Sequence, residues 1–269
     1  MTVSVERAGS ILDVVLNRPE KRNALTTQLF EELGAAMGEI RDDESVRAVV
    51  LAGKGASFSV GLDVHSLATI GGSGEESRSP ASRASAVRRQ VLRLQSFVNA
   101  VADCPVPVIA AIHGYCLGGG IDLVTACDIR LCSADAIFSV RETRMALVAD
   151  LGSLQRLPPI VGAAHTAELV LTGNDITAHR AEHIGLVNHV LPDQAACLEA
   201  AHGLAHEIAS RPPLAVKGAK EVLAEERRAE IERGLRFVAA WNAGHLFSDD
   251  LAEAAAAFFE KRPPRFTGQ

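Results

Sequence analysis

The sequence predicts an α/β fold in which helices cover a largely parallel sheet, followed by a helical extension at the C-terminus. Two observations indicate this fold. In the first part of the chain, short β-branched apolar runs alternate with longer segments whose apolar residues recur at helical spacing. From Asp193 onward the pattern becomes almost wholly helical and rich in alanine. Strands that alternate with helices favour right-handed crossovers, and therefore a parallel sheet.

Apolar, β-branched runs predict the strands, and two segments with helical spacing lie between them. In the first helix, Leu29, Leu33 and Ile40 recur on one face. A charged, Gly/Ser-rich segment at residues 71–82 predicts a mobile loop before the second helix. The predicted strands are residues 10–16, 46–52, 106–112, 129–132, 136–139 and 186–190, and the two helices are residues 26–41 and 84–102.

Three alanine-rich helices are predicted in the C-terminal part, at residues 195–209, 214–241 and 251–260. The last one runs into Lys261, Arg262 and two prolines, and cations favour the end of a helix that proline then stops. We therefore expect a core at residues 1–192 and a helical region at residues 193–269.

Composition excludes several classes of function. Of the 269 residues 48% are hydrophobic and 22% charged, which is enough to bury a sizeable core. The net charge of −6 comes from interspersed charges, so we expect no nucleic-acid partner. No apolar run is long enough to span a bilayer, so we expect no membrane association. Five cysteines without paired spacing fit a reducing compartment, and without a visible targeting signal we expect a cytoplasmic protein.

Three consecutive glycines, Gly118–Gly120, join a buried strand to an apolar helix. The N–H groups in the first turn of such a helix are unpaired, and they suit an anion or a developing oxyanion. A dinucleotide-binding turn does not fit, because Leu123 stands where a third glycine is needed. Taken alone, the turn is as compatible with packing as with binding.

A second segment, Phe58-Ser-Val-Gly-Leu-Asp-Val64, follows a predicted strand and could place further backbone N–H groups beside the glycine turn. Together these segments resemble the enoyl-CoA hydratase/isomerase (crotonase) superfamily, and the resemblance covers nearly the whole chain. The other segments that carry it are Leu16-Asn-Arg-Pro19, Arg22-Asn-Ala-Leu25, Leu154-Gln-Arg-Leu157, Leu171-Thr-Gly173 and Gly185-Leu-Val187.

The resemblance implies a crotonase-type spiral core of ββα units and an acyl-coenzyme A substrate. No cluster of His, Cys and Asp has the spacing of a zinc site, so we expect no metal. No separate cofactor is implied, because coenzyme A is part of the substrate. It implies an oxyanion hole made by the N–H of Leu62 and that of Gly119 or Gly120. It also implies a homotrimer or homohexamer, in which the C-terminal region serves assembly and helix 251–260 covers the acyl site. The residues implied for coenzyme A binding are Val60, Gly61, Asp63 and Val64 through their backbone, with Arg22 and Lys261 near the phosphates.

Three carboxylates distinguish branches within the family: Asp122, Glu142 and Asp150. Hydratases carry two glutamates and a glycine at these positions, whereas the set seen here resembles the Δ3,5-Δ2,4-dienoyl-CoA isomerase branch. The resemblance implies that Glu142 takes a proton from C2 of the substrate, that Asp150 delivers one at C6, and that Asp122 tunes the polarity between them.

Each carboxylate also has a structural interpretation. Asp122 could complement a helix dipole as a first-turn acid, and Asp150 could be the N-cap of a helix that starts at Leu151. Glu142 could be a solvated charge between Arg141 and Arg144.

Two other functions compete with the isomerase. A hydratase needs two acids that hold one water, and Asp122 is one methylene shorter than the usual glutamate. A noncatalytic or RNA-binding homologue would need a row of cations on one helix face, but Arg88-Arg89 and Arg227-Arg228 are isolated pairs.

Overall fold

The computed structural model describes residues 1–63 and 79–269. Within them the chain forms nine strands, which build two sheets, and no helix there is long and apolar enough to cross a membrane. The strands are β1 (Val3–Ala8), β2 (Ile11–Leu16), β3 (Ala48–Gly53), β4 (Val108–Ile112), β5 (Tyr115–Leu117), β6 (Ile129–Ser133), β7 (Ile137–Ser139), β8 (Ile176–Thr177) and β9 (His189–Leu191).

The helices of the described residues lie mostly between the later strands and after the last one. They are α1 (Thr27–Asp42), α2 (Pro80–Ala102), α3 (Gly119–Ala126), α4 (Ser153–Val161), α5 (Ala163–Thr172), α6 (Ala178–His183), α7 (Gln194–Ala209), α8 (Pro213–His245) and α9 (Asp249–Glu260). Two short 3-10 turns, Pro19–Lys21 and Glu142–Met145, complete the set.

The larger sheet has the order β1-β2-β3-β4-β6-β9. β1 and β2 form an antiparallel hairpin, and every later neighbour pair in this sheet is parallel. The smaller sheet has the order β5-β7-β8 and lies beside the point where α3 begins. The predicted α/β class, with a mostly parallel sheet and a helical C-terminal part, is confirmed.

Helices cover both faces of the larger sheet, as a parallel sheet requires. All six residues of β3 are buried, and alternate side chains point to opposite faces. Val49 and Leu51 join the cluster that holds α1 and α2, whereas Val50 packs against α7 on the other face. α7 lies in the predicted C-terminal region and yet covers the sheet, so the division at residue 192 stays a prediction.

Several predicted boundaries differ from the structure; α8, for example, ends at His245 rather than at residue 241. The second helix begins at Pro80 rather than at residue 84, because the Ser79 hydroxyl accepts the Ser82 N–H and caps it. The predicted loop therefore ends earlier, and its residues before Ser79 lie outside the described part of the chain. The last strand starts at His189 rather than at residue 186, because Leu186 N–H closes the turn after α6 by bonding to Ala181 O.

The sequence also left α4, α5 and α6 without a prediction. α4 has only nine residues, and two of them are Pro158 and Pro159. Because proline lacks a backbone N–H and normally interrupts a helix, the sequence pattern predicted no helix here. This omission matters for the site, because the start of α4 contacts one of the three carboxylates.

Candidate active site

Two backbone segments approach each other closely where α3 begins. Gly61 has φ +84°, and a Cβ on it would lie 2.7 Å from Leu117 O and 3.3 Å from Gly119 N. Gly118 has φ +50°, a conformation that favours glycine. Only glycine allows this contact, so the glycines of both segments let the two backbones pack closely together.

The two segments present a pair of N–H groups. Leu25 N–H donates to Gly61 O at 2.8 Å and Asp63 N–H donates to Leu25 O at 3.0 Å, which fixes the peptide groups on both sides of Leu62. Within residues 1–63 and 79–269, the N–H groups of Leu62 and Gly119 donate to no acceptor. Both residues line a cavity, so the pair can receive an oxyanion there.

Gly120, the alternative donor from the sequence, is buried and does not line this cavity. A Cβ on Gly120 would meet Ser59 O at 3.2 Å, whereas one on Gly119 would lie 3.8 Å from Leu62 N. The geometry therefore favours Gly119 as the partner of Leu62.

Asn23 fixes the loop that carries Leu62, and the sequence interpretation gave it no role. Its side-chain amide donates to Lys54 O at 2.9 Å and to Ser57 O at 2.8 Å. Ser59 Oγ donates to Asn23 O at 2.8 Å and accepts the Gly61 N–H at 3.2 Å. The available signal in the sequence was its place in the segment Arg22-Asn-Ala-Leu25, but its partners lie 31 and 34 residues further along the chain, so no local pattern identifies them.

The cavity has a volume of about 690 Å³, within the range of small-molecule sites. Its wall contains Leu62, Gly119 and Glu142, together with Ala254, Ala257 and Phe258 of α9. α9 thus closes one side of the cavity, as the resemblance implied.

The predicted coenzyme A residues divide into three groups. Val60, Gly61 and Asp63 line the cavity, and Arg22 lines it with its guanidinium 6.0 Å from the Tyr115 ring centre. Val64 lies outside the described residues. Lys261 is exposed at the end of α9 and does not line the cavity.

Other cations of the cavity wall are neutralised by neighbours. Arg141 binds both carboxylate oxygens of Asp175, at 2.8 and 2.7 Å, and Arg262 pairs with Glu253 and Glu260. Lys21 and Arg22 also line the cavity, and neither forms an ion pair with another residue in the described ranges.

Glu142 begins a 3-10 turn and places its carboxylate beside the glycine turn. A Cβ on Gly118 would lie 3.1 Å from Glu142 Oε1, and Oε2 is buried without a hydrogen-bond partner among the described residues. Burial, followed by the negative charges of Asp122 and Asp150, raises the pKa of Glu142 to about 8. The alternative of a solvated surface charge is therefore wrong.

Asp122 is 1% exposed on α3, and its Oδ1 accepts the Ser153 N–H at 2.6 Å. Burial raises the pKa of Asp122 to about 6, although the Ser153 hydrogen bond and the Arg156 charge oppose this. The buried Arg156 guanidinium also donates to Asn99 Oδ1 at 2.6 Å. Asp122 thus lies in the first turn of α3 and also caps the start of α4.

Asp150 accepts a hydrogen bond from the Asn242 side chain of α8, with 2.7 Å between Nδ2 and Oδ2. Burial raises the pKa of Asp150 to about 7 against the effect of this donor. The alternative that Asp150 caps a helix at Leu151 is wrong, because α4 starts at Ser153 and Asp122 meets that N–H.

The three predicted carboxylates form an electrostatically coupled cluster, of which only Glu142 lines the cavity. The charges of Asp122 and Asp150 raise the pKa of Glu142, and the charge of Asp122 also raises the pKa of Asp150. At pH 7 such a cluster keeps at least one proton, so it can offer an ionised base and a protonated acid at once. Beside an oxyanion site, this arrangement suits proton transfer at carbons conjugated to a carbonyl.

Comparison with known proteins gives concordant matches. The sequence profile of the family described as enoyl-CoA hydratase/isomerase matches residues 6–269. The peroxisomal Delta(3,5)-Delta(2,4)-dienoyl-CoA isomerase of Arabidopsis thaliana is 42% identical over 258 residues, which are 96% of this chain and 93% of the relative. The mitochondrial protein of that name from Dictyostelium discoideum is 43% identical over 257 residues, 95% of this chain and 87% of the relative.

Solved structures agree on the fold. The crystal structure of an enoyl-CoA hydratase/isomerase from Pseudoalteromonas atlantica T6c superposes with a TM-score of 0.86 at 29% identity. The match covers 99% of this chain and all of the other, so the whole of the fold is shared.

Proposed function

This chain belongs to the enoyl-CoA hydratase/isomerase family, and we propose that it acts as a Δ3,5-Δ2,4-dienoyl-CoA isomerase. Membership confirms the resemblance drawn from the sequence motifs and the crotonase-type fold. The observation that carries the proposal is the third carboxylate, Asp150, which is half-buried against the Asn242 amide and whose charge acts on Glu142. Relatives that are 42% and 43% identical carry the name of this activity.

In the proposed reaction, Glu142 removes a proton from C2 of a 3,5-dienoyl thioester. The electron pair moves into the conjugated system and charge develops on the thioester oxygen, which the N–H groups of Leu62 and Gly119 stabilise. Each such donor lowers the barrier by about 3 kcal/mol. Asp150 then delivers a proton at C6, which leaves double bonds at C2 and C4.

Burial assists the base in this scheme. An ordinary carboxylate is a weak base toward a carbon acid, because its pKa lies near 4. With the pKa of Glu142 raised to about 8, the proton transfer becomes less unfavourable before the oxyanion donors act.

Coenzyme A is proposed to bind along the backbone of residues 60–63, with Lys21 and Arg22 near its phosphates. These two cations are preferred because Arg141 and Arg262 already pair with carboxylates. Arg22→Ala should weaken the binding of coenzyme A in titration calorimetry, and Lys261→Ala, a change outside the cavity wall, should leave it unaltered. Equal weakening by both would reject this placement.

The decisive assay presents the purified protein with 3,5-dienoyl-CoA and, separately, with 2-enoyl-CoA, and follows ultraviolet absorbance. We expect a 2,4-dienoyl chromophore to form from the first substrate. Hydration of 2-enoyl-CoA without that chromophore would reject the isomerase and support the hydratase. Asp122 makes the hydratase less favourable, since one of its oxygens is engaged by the Ser153 N–H rather than free to hold a water.

A homotrimer or homohexamer is proposed for the assembly. Large apolar side chains are exposed along α8, including Leu214, Val222 and Phe237 at 84, 73 and 70% exposure, and such residues are usually covered in an assembly. A monomer in sedimentation at micromolar concentration would contradict this. The cytoplasmic location stays a prediction, since the named relatives are peroxisomal and mitochondrial.

A further inference from the structure

The side chain of Asn242, in the C-terminal part of the chain, reaches the carboxylate cluster from α8. It is 4% exposed, and its Nδ2 donates at 2.7 Å to Asp150 Oδ2 and at 2.9 Å to Val148 O. Both partners are acceptors, so the NH2 group of Asn242 must face them. The amide therefore has one permitted orientation, because its oxygen cannot bond to a carboxylate or a carbonyl oxygen. The side chain is thus fixed by the groups that it binds.

A second amide fixes the backbone at the same place. Gln95 of α2 is 3% exposed, and its Nε2 donates at 2.7 Å to Asp150 O and at 3.1 Å to Leu235 O of α8. The carbonyl of Asp150 and its carboxylate are therefore held by different side chains, and both are tied to the same long helix. With the backbone anchored by Gln95, the orientation of the carboxyl group depends on Asn242.

We propose that Asn242 is a positioning residue that holds Oδ2 of Asp150 and leaves Oδ1 as the oxygen that gains and loses the transferred proton. This inference rests on the proposed isomerase function. Oδ1 accepts no hydrogen bond from another residue in the described ranges, whereas Oδ2 faces an N–H. A proton on Oδ2 would compete with that N–H, so protonation is directed to Oδ1.

The charges around Asp150 make this donor matter. Its charged neighbours in the cluster are Asp122 and Glu142, and Arg156 acts on Asp122. Burial and the charge of Asp122 oppose ionisation of Asp150, whereas the Asn242 amide and the backbone N–H of Asp150 itself favour it. The amide therefore affects both the ionisation of Asp150 and the orientation of its carboxyl group. Orientation is critical for proton transfer.

The test compares Asn242→Leu with Val238→Ala. Leucine has the same branched arrangement of heavy atoms as asparagine, although it is larger, and it has no donor. Val238 is buried one turn earlier on α8 and has an apolar side chain. Asn242→Leu should lower kcat by about 10-fold or more with little change in KM, because the orientation of the proton donor is lost while the proposed coenzyme A contacts remain. Val238→Ala should keep kcat near the wild-type value.

A double-mutant cycle separates positioning from general damage. If Asn242 acts through Asp150, then Asn242→Leu should cost nothing further in kcat once Asp150→Asn is present. Additive losses, or an equal loss of kcat in Val238→Ala, would overturn the proposal. If Asn242→Leu does not fold, Asn242→Ser takes its place, since a hydroxyl on that shorter side chain does not reach Asp150.

A measurement without turnover keeps this inference distinct from the proposed function. Carbon-13 NMR of labelled aspartate carboxyls gives the pKa of Asp150 in the free protein, with the signal assigned by its loss in Asp150→Asn. Removing a donor to a charged group should raise that pKa by about 1 unit in Asn242→Leu and leave it unchanged in Val238→Ala. An unchanged value in Asn242→Leu overturns the proposal. A wild-type protein that fails to isomerise 3,5-dienoyl-CoA overturns the function, and the titration still decides whether Asn242 governs Asp150.

Discussion

Replacing Asp150 by asparagine removes the titratable group and little else. Asparagine can turn its side-chain oxygen toward the Asn242 amide, which donates to Oδ2 in the wild-type protein. The shape of the site and its hydrogen bond are therefore kept. If Asp150 delivers the second proton, the isomerisation rate should fall by about 10²-fold or more, the low end for general acid-base catalysis. Binding of the thioester should survive, because the proposed coenzyme A contacts lie along residues 60–63 and asparagine keeps the shape of the aspartate side chain.

The same substitution should stabilise the protein at neutral pH. Burial raises the pKa of Asp150 from 3.8 to about 7, so between these values the folded state holds a proton that the unfolded state has released. A folded state that binds more protons loses stability as pH rises through this window. The shift corresponds to a loss of about 4 kcal/mol in the free energy of unfolding of the wild-type protein above pH 7. The variant avoids this loss, because its amide does not titrate.

Two assays check this reasoning: turnover of 3,5-dienoyl-CoA by ultraviolet absorbance, and urea unfolding at pH 4 and at pH 8. Asp150→Asn should be slow at every pH, and its free energy of unfolding relative to wild type should be greater at pH 8 than at pH 4. Unchanged turnover would refute the catalytic role. A stability difference that is the same at both pH values would refute the buried, proton-holding state of Asp150.

Three further substitutions address the rest of the site. Glu142→Gln removes the proposed base without changing its shape, so isomerisation and any hydration should both fall by about 10²-fold or more in the same absorbance assay. Gly61→Ala would place a Cβ 2.7 Å from a carbonyl at φ +84° and shift the neighbouring Leu62 N–H, so kcat should fall by about 10²-fold while circular dichroism stays that of a folded protein. Arg156→Met removes the positive charge that opposes the raised pKa of Asp122, so that pKa should rise further in a carbon-13 titration, and an unchanged value would reject the coupling.

Local patterns predicted the elements whose apolar residues repeat regularly, and missed those whose definition depends on distant contacts. α1 and α7 were found because their buried faces follow the helical period, and β3 because it is a continuous apolar run. Asn242 could not be found in this way, because it lies 92 residues from Asp150 and looks like any polar residue of a long helix. Gln95, at 55 residues from Asp150, is hidden for the same reason.

The carboxylates themselves could be named from motifs, but their individual environments could not. The sequence allowed Asp150 to be a helix cap, and in the structure Asp122 holds that position for α4 instead. The difference arises because the cap comes from another helix, α3, which packs against the start of α4. Periodicity within a segment carries no information about which neighbour supplies a cap.

The order of the three pKa values follows the hydrogen-bond donors that each carboxylate receives. Asp122 has a backbone N–H and a nearby arginine, Asp150 has an amide, and Glu142 Oε2 has no partner in the described residues, and their pKa values rise in that order from about 6 to about 7 to about 8. Both pKa values lie above the ordinary range of carboxyl groups, and the proposed reaction needs Glu142 ionised while Asp150 is protonated. Because base and acid must be in opposite states, kcat/KM should follow a bell between about pH 7 and pH 8, and a rate that keeps rising above pH 9 would show that no protonated carboxyl is needed.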